Sequence, residues 1–167
     1  MLILLLCLAA LTDLKTDRIP NGLVVIGIII GVSGSLWYRF DLLQLAVSMS
    51  LAFVLLYPLF KIGVLGAGDV KIFIMIGSFV EAEEFIAILD SAFVIGAVFS
   101  LVKLLVEHNG RERLCYFLSY ISDVVRTRKW KIYGEYMRED YQQYRRNKIH
   151  FTVPVLFGVV LQMGGII

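Results

Sequence analysis

Six apolar runs, Met1 to Thr12, Gly22 to Tyr38, Leu42 to Phe60, Val70 to Val80, Phe85 to Val106 and Phe151 to Ile167, take up most of this 167-residue chain. Each run must bury its side chains and satisfy its own backbone amides, and a helix does the second without help from its neighbours. With 59% hydrophobic residues and a mean hydropathy of +0.80, the chain has too little polar surface for an ordinary water-soluble domain. The pattern predicts an all-α polytopic membrane protein of about six transmembrane helices. A full span takes roughly 20 residues. The first and fourth runs are shorter, but a helix that packs only against other helices need not be long or wholly apolar. The first run also has the length of a signal-peptide core, yet it lacks a basic leader and a good cleavage site. It is expected to be a membrane helix continuing to about Thr16, with Asp13 inside it.

Basic residues are placed unevenly. The connections after runs one, three and five carry Lys15 and Arg18, then Lys61 and Lys71, then a 43-residue stretch from Glu107 to Ile149 with ten of the sixteen basic residues. Those after runs two and four are Arg39-Phe40-Asp41 and the acidic Glu81-Ala82-Glu83-Glu84. The positive-inside rule then predicts that the first, third and fifth helices run inward, with both termini outside. One integral membrane domain is expected, with helices one to five in residues 1–106, a basic cytoplasmic or interfacial segment in 107–149 and the last helix in 150–167. Within that segment Leu114, Phe117, Leu118, Ile121, Val124 and Val125 recur at helical spacing between basic flanks. This predicts an amphipathic helix on the anionic leaflet, a small cytoplasmic subdomain being the alternative. Membrane lipid is thus an expected partner and nucleic acid is not; the oligomeric state is left open.

With that topology, Asp13 near the inner end of helix one and Asp69 at the inner start of helix four share a depth. Ionisable groups within a bilayer are costly and mark functional sites. Two close carboxylates cannot both ionise cheaply, so the pair shares a proton. One member can deprotonate an attacking water while the other polarises a peptide carbonyl, without a metal or a nucleophilic side chain. Each residue alone has a plainer reading: Asp69 as an N-cap, Asp13 as an interfacial anchor, Asp17 to Asn21 as a turn with Pro20 near the next helix. Gly66 and Gly68 permit backbone conformations and close approach that a side chain would forbid.

The combination resembles a known family. Asp13-Leu14-Lys15-Thr16-Asp17-Arg18-Ile19-Pro20-Asn21 is similar to the D-x6-P-[ND] segment of type IV prepilin peptidases, and Gly66-Ala67-Gly68-Asp69-Val70-Lys71 to their G-x-G-D-x-K motif. His150-Phe151-Thr152-Val153-Pro154 resembles the opening of their last span. The G-x-G-D element also occurs in presenilin-like and signal-peptide-peptidase-like intramembrane proteases. The resemblance implies a membrane aspartyl endopeptidase that cleaves the leader of prepilin-like proteins at the cytoplasmic face of a bacterial or archaeal membrane. It implies Asp13 and Asp69 as the catalytic pair, with Gly66, Gly68, Lys71, Pro20 and Asn21 in support, no metal and no cofactor. Asp13 rather than Asp17 has the family's spacing to Pro20. An intramembrane protease with other substrates, or a small ion or proton transporter subunit, are the alternatives.

Longer members carry an N-terminal extension with paired cysteines, associated with methylation of the new pilin N-terminus. Cys7 and Cys115 form no such pair, and the chain is expected to be the short, peptidase-only form, as in tight-adherence pilus systems and, more distantly, archaeal preflagellin peptidases. The two cysteines also suit neither a zinc site nor a disulfide framework. Lys71 reads equally as a partner of Asp69 or substrate and as a side chain snorkelling to lipid phosphate. Asp90 is expected to be a polar group at a helix contact or pore, and His108 and His150 to be surface residues.

Overall fold

The computed structural model describes residues 1–38, 42–106 and 150–165, together with Cys115, Leu118, Ser119, Ser122 and Arg126. The described residues form helices and no strands. The helices are α1 (Leu2–Thr16), α2 (Asn21–Tyr38), α3 (Leu42–Ile62), α4 (Ala67–Gly77), α5 (Ala82–Val106) and α6 (Thr152–Met163). The expectations for residues 107–149 otherwise lie outside the described residues.

Two helices, Leu43–Ile62 and Ala82–Val106, are long and apolar enough to cross a membrane, and Asn21–Trp37 and Thr152–Met163 are shorter apolar helices. At about 1.5 Å per residue, the 11 residues of α4 and the 15 of α1 are shorter than a hydrocarbon core of roughly 30 Å. What α4 lacks in length it makes up in shielding. It packs against α2, α3 and α5, and Val70, Ile72, Phe73, Met75, Ile76 and Gly77 are buried.

Small residues allow this close packing. A Cβ on Gly77 would lie 3.0 Å from the Ser48 carbonyl oxygen of α3, so glycine sets that helix separation. Gly158 of α6 lies similarly close to the Ile88 carbonyl and Ala92 amide of α5. Aromatic rings fill the space between: Phe73 meets Phe85 edge-on at 6.1 Å, and Phe151 stands 6.3 Å from Phe73 and 5.3 Å from Phe93.

On helix α1 apolar side chains cover the outer face as well as the inner one. On α1, Leu2, Leu5, Leu6, Ala9, Ala10 and Asp13 are buried, while Leu4, Leu8, Leu11 and Leu14 are each more than half exposed. An acid points inward and leucines outward, as suits a lipid-facing helix.

Candidate active site

Asp13 owes its position to the inward stripe of α1, in which Leu2, Leu6, Ala9 and Asp13 follow one another at helical spacing. It is 5% exposed. Its Oδ2 accepts a hydrogen bond from the Thr152 hydroxyl at 3.0 Å and lies 3.1 Å from His150 Nδ1. Both contacts come from the entrance of α6, which packs along α1. Thr152 is buried, and the His150 side chain is 24% exposed.

One turn on, α1 ends. Asp17 adopts φ 56°, ψ 19°, and its amide donates to the Asp13 carbonyl at 2.9 Å. Aspartate tolerates this left-handed region better than most side chains. The reversal starts the short connection to Pro20 and the new helix at Asn21. Asp17 Oδ1 stands 3.9 Å from His150 Nε2, so the imidazole lies between two carboxylates, one in the last turn of α1 and one at its C-cap.

Asp69 is delivered by a different local device. α3 closes at Gly63, whose φ is 85°, with its amide bonded to the Phe60 carbonyl and that of Val64 to the Leu59 carbonyl. This is a Schellman stop, which leaves Leu65 tucked in and the chain free to restart. Gly66 is the N-cap of α4 and Asp69 its third residue; Asp69 Oδ2 accepts the Gly66 amide at 3.1 Å. The aspartate is therefore the reaching-back half of a capping box rather than the N-cap itself.

The glycines flanking Asp69 act through space rather than through unusual backbone angles. Gly66 has an ordinary extended φ of −77°, and a Cβ there would approach Asp69 Oδ2 to 3.1 Å. A Cβ on Gly68 would come within 2.8 Å of Ile19 Cδ1. Ile19 belongs to the connection after α1, so this contact ties the segment holding Asp13 to the one holding Asp69. A second tie is polar: Lys71 Nζ donates to Asn21 Oδ1 at 2.8 Å. Lys71, for which the sequence left two readings open, thus holds the start of α2 to the start of α4. Pro20 is exposed and immediately precedes α2.

Two sequence expectations change. Asp90 is exposed on α5, because the packed face of that helix runs through Phe85, Ile88, Ala92 and Gly96, so of the two settings expected for it, a contact between these helices is the one that changes. His150 is not a plain surface residue, since it reaches Asp13. Thr152 was missed altogether; the only hint was its place in a segment resembling the opening of the family's last span. His108 lies outside the described residues.

The model of the type IV leader peptidase family matches residues 1–101, which hold both joined segments. This chain belongs to the type IV leader peptidase family. Family membership makes it a leader-peptidase-like protease. No curated protein and no solved structure matches it. The matched region of this leader peptidase relative ends within α5, so the α6 groups that reach Asp13 lie beyond it. Among the described residues no cluster of three or more His, Cys, Asp or Glu side chains is arranged to hold a metal ion.

Proposed function

We propose that this protein is a multi-pass membrane aspartyl endopeptidase that removes the leader from prepilin-like proteins at the cytoplasmic face of the membrane, with Asp13 and Asp69 as its catalytic pair. The observation that carries this reading is the joining of the two aspartate-bearing segments, Ile19 against Gly68 and Asn21 bonded to Lys71. Family membership supplies the reaction class, and the burial of Asp13 among helices with apolar outer surfaces supports a site at the edge of a bilayer.

In the mechanism, the ionised aspartate removes a proton from water as its oxygen attacks the scissile carbonyl carbon. The protonated aspartate donates to the carbonyl oxygen, which takes up the developing negative charge. Collapse of the tetrahedral intermediate breaks the carbon–nitrogen bond, and the departing nitrogen receives the proton held by the first carboxylate. A prepilin-like substrate, with a basic leader followed by one apolar helix, places its scissile bond where headgroups and hydrocarbon meet. Its basic leader remains on the cytoplasmic side that the Lys and Arg distribution predicts.

The test is cleavage by purified protein, in lipid, of a polypeptide with a basic leader and an apolar segment, followed by mapping of the cut. Cleavage at the boundary between leader and apolar segment is expected. A cut several residues inside the apolar segment would favour an intramembrane protease. Ion flux in liposomes without cleavage would favour a transporter subunit.

A further inference from the structure

We infer that the entrance of α6 is the positioning element for Asp13, with His150 as its principal residue and Thr152 as the buried second donor. This rests on the reading of Asp13 as one of the catalytic pair.

An aspartate side chain keeps rotational freedom that its backbone does not fix. Its terminal torsion is broad and roughly two-fold, so packing of α1 alone fixes the position of the carboxyl carbon but not the plane of the group. Here Thr152 Oγ1 at 3.0 Å and His150 Nδ1 at 3.1 Å meet on the same oxygen, Oδ2. Two partners on one oxygen set the plane and therefore the direction of the second oxygen. When Asp13 is the ionised member of the pair its carboxylate only accepts hydrogen bonds, and His150 then presents Nδ1 as N–H toward it. Its other nitrogen faces Asp17 Oδ1 at 3.9 Å, too far for a direct hydrogen bond but near enough for attraction when the ring is protonated.

The two donors differ in setting. Thr152 is 2% exposed, whereas the His150 side chain is 24% exposed. Both come from a chain position 137 or more residues beyond Asp13. The orientation of the carboxylate therefore depends on the docking of α6 against α1 and α5. Preorganised geometry at a reacting group matters because misplacement by about 1 Å can cost roughly a hundredfold in rate.

The experiment compares His150→Phe, His150→Asn, Thr152→Val and Thr152→Ser with the wild type, using cleavage of a leader-bearing polypeptide by protein purified in one detergent. Asp13→Asn and Asp69→Asn serve as references. His150→Phe keeps a ring and removes both donors; His150→Asn keeps an N–H at the position of Nδ1. The expected result is a fall in kcat of about ten- to a hundredfold for His150→Phe, the size expected for a hydrogen bond to a charged group. KM and thermal midpoint should hold, and most of the rate should return in His150→Asn. Thr152→Val should lower kcat and Thr152→Ser recover it.

If His150→Phe has wild-type kcat while both aspartate variants are dead, the inference falls and the catalytic assignment stands. Failure of His150→Asn to recover the rate also overturns it, because the N–H at Nδ1 would not be what matters. If His150→Phe loses folded protein along with rate, Thr152→Val and Thr152→Ser decide: a kcat difference between them at equal thermal midpoint supports the inference, and none overturns it. Cleavage by Asp13→Asn would bring down the catalytic reading itself, and the inference with it.

Discussion

Gly68 offers a test in which the perturbation can be sized from the structure. A Cβ added there would stand 2.8 Å from Ile19 Cδ1, with Ile19 Cγ1 next at 3.4 Å. The first distance is roughly 1 Å inside the ~3.5–4.0 Å optimum for carbon pairs, while the second nearly meets it. The clashing atom is the far end of a flexible side chain, so the direct cost of Gly68→Ala is about 0.5–1.5 kcal/mol, that of an off-rotamer torsion, and glycine replacement in a helix returns part of it. Stability should hardly change. Activity should change more, because the part of the clash that the Ile19 torsion does not relieve moves the α1–α2 connection away from Asp69. A displacement of about 1 Å between reacting groups is worth up to roughly a hundredfold. The expected result is a fall in kcat/KM of about ten- to a hundredfold for Gly68→Ala, with the thermal midpoint nearly unmoved. Ile19→Val removes Cδ1 alone and should restore the rate in the double variant. The assay is cleavage of a leader-bearing polypeptide beside a melting curve in the same detergent. A fully active Gly68→Ala, or a double variant no better than the single one, would refute the claim that this contact sets the relation between the two aspartate segments.

Three further outcomes are expected. Gly77→Ala meets backbone at 3.0 Å rather than a movable side chain, so it should destabilise by about 1–3 kcal/mol, seen as a lower thermal midpoint and less folded protein. Lys71→Ala removes one exposed hydrogen bond to Asn21, a loss of about 0.5–1.5 kcal/mol, and should lower kcat/KM by less than about tenfold; Asn21→Ala should match it, and the double variant should be little worse than either. Asp17→Val places a β-branched residue at φ 56° and should cost about 1–2 kcal/mol, whereas Asp17→Gly, which suits that angle, should melt near the wild type.

The helices were legible because apolar periodicity is a local signal, and where they departed from expectation the cause was polar. Helix α4 begins at Ala67 rather than Val70 and ends at Gly77 rather than Val80. The Gly-Ala-Gly-Asp stretch forms its first turn, and Asp69 satisfies the Gly66 amide. Ser78 then bonds the Met75 carbonyl while Phe79 turns back to Ile76. Helix α5 takes in Glu83 and Glu84, which hydropathy counts as loop but a helix N-terminus favours. The end of α1 at Thr16, with Asp13 within it, agreed with the sequence reading.

The candidate site was legible in part for a related reason. Asp13 and Asp69 each sit in a short recognisable segment, and the ties between those segments involve residues of the same segments, Ile19, Asn21, Gly68 and Lys71. His150 and Thr152 also sit in a segment that resembles the family's last span, but nothing in that segment marks them as partners of Asp13. Their links to Asp13 are two long-range contacts created by α6 lying against α1, and no spacing rule within one sequence reveals them. Asp90 was legible only as a polar group: an acid in an apolar run signals cost, but only the helix's rotation says which way it faces.

The central claim is tested most directly by co-expressing the protein with a small prepilin-like substrate and measuring the mass of the substrate's new N-terminus for the wild type, Asp13→Asn, Asp69→Asn and Asp17→Asn. Leader removal is expected from the wild type and from Asp17→Asn, and none from Asp13→Asn or Asp69→Asn, with all four proteins folded and present in the membrane. Full cleavage by Asp13→Asn or by Asp69→Asn would contradict it.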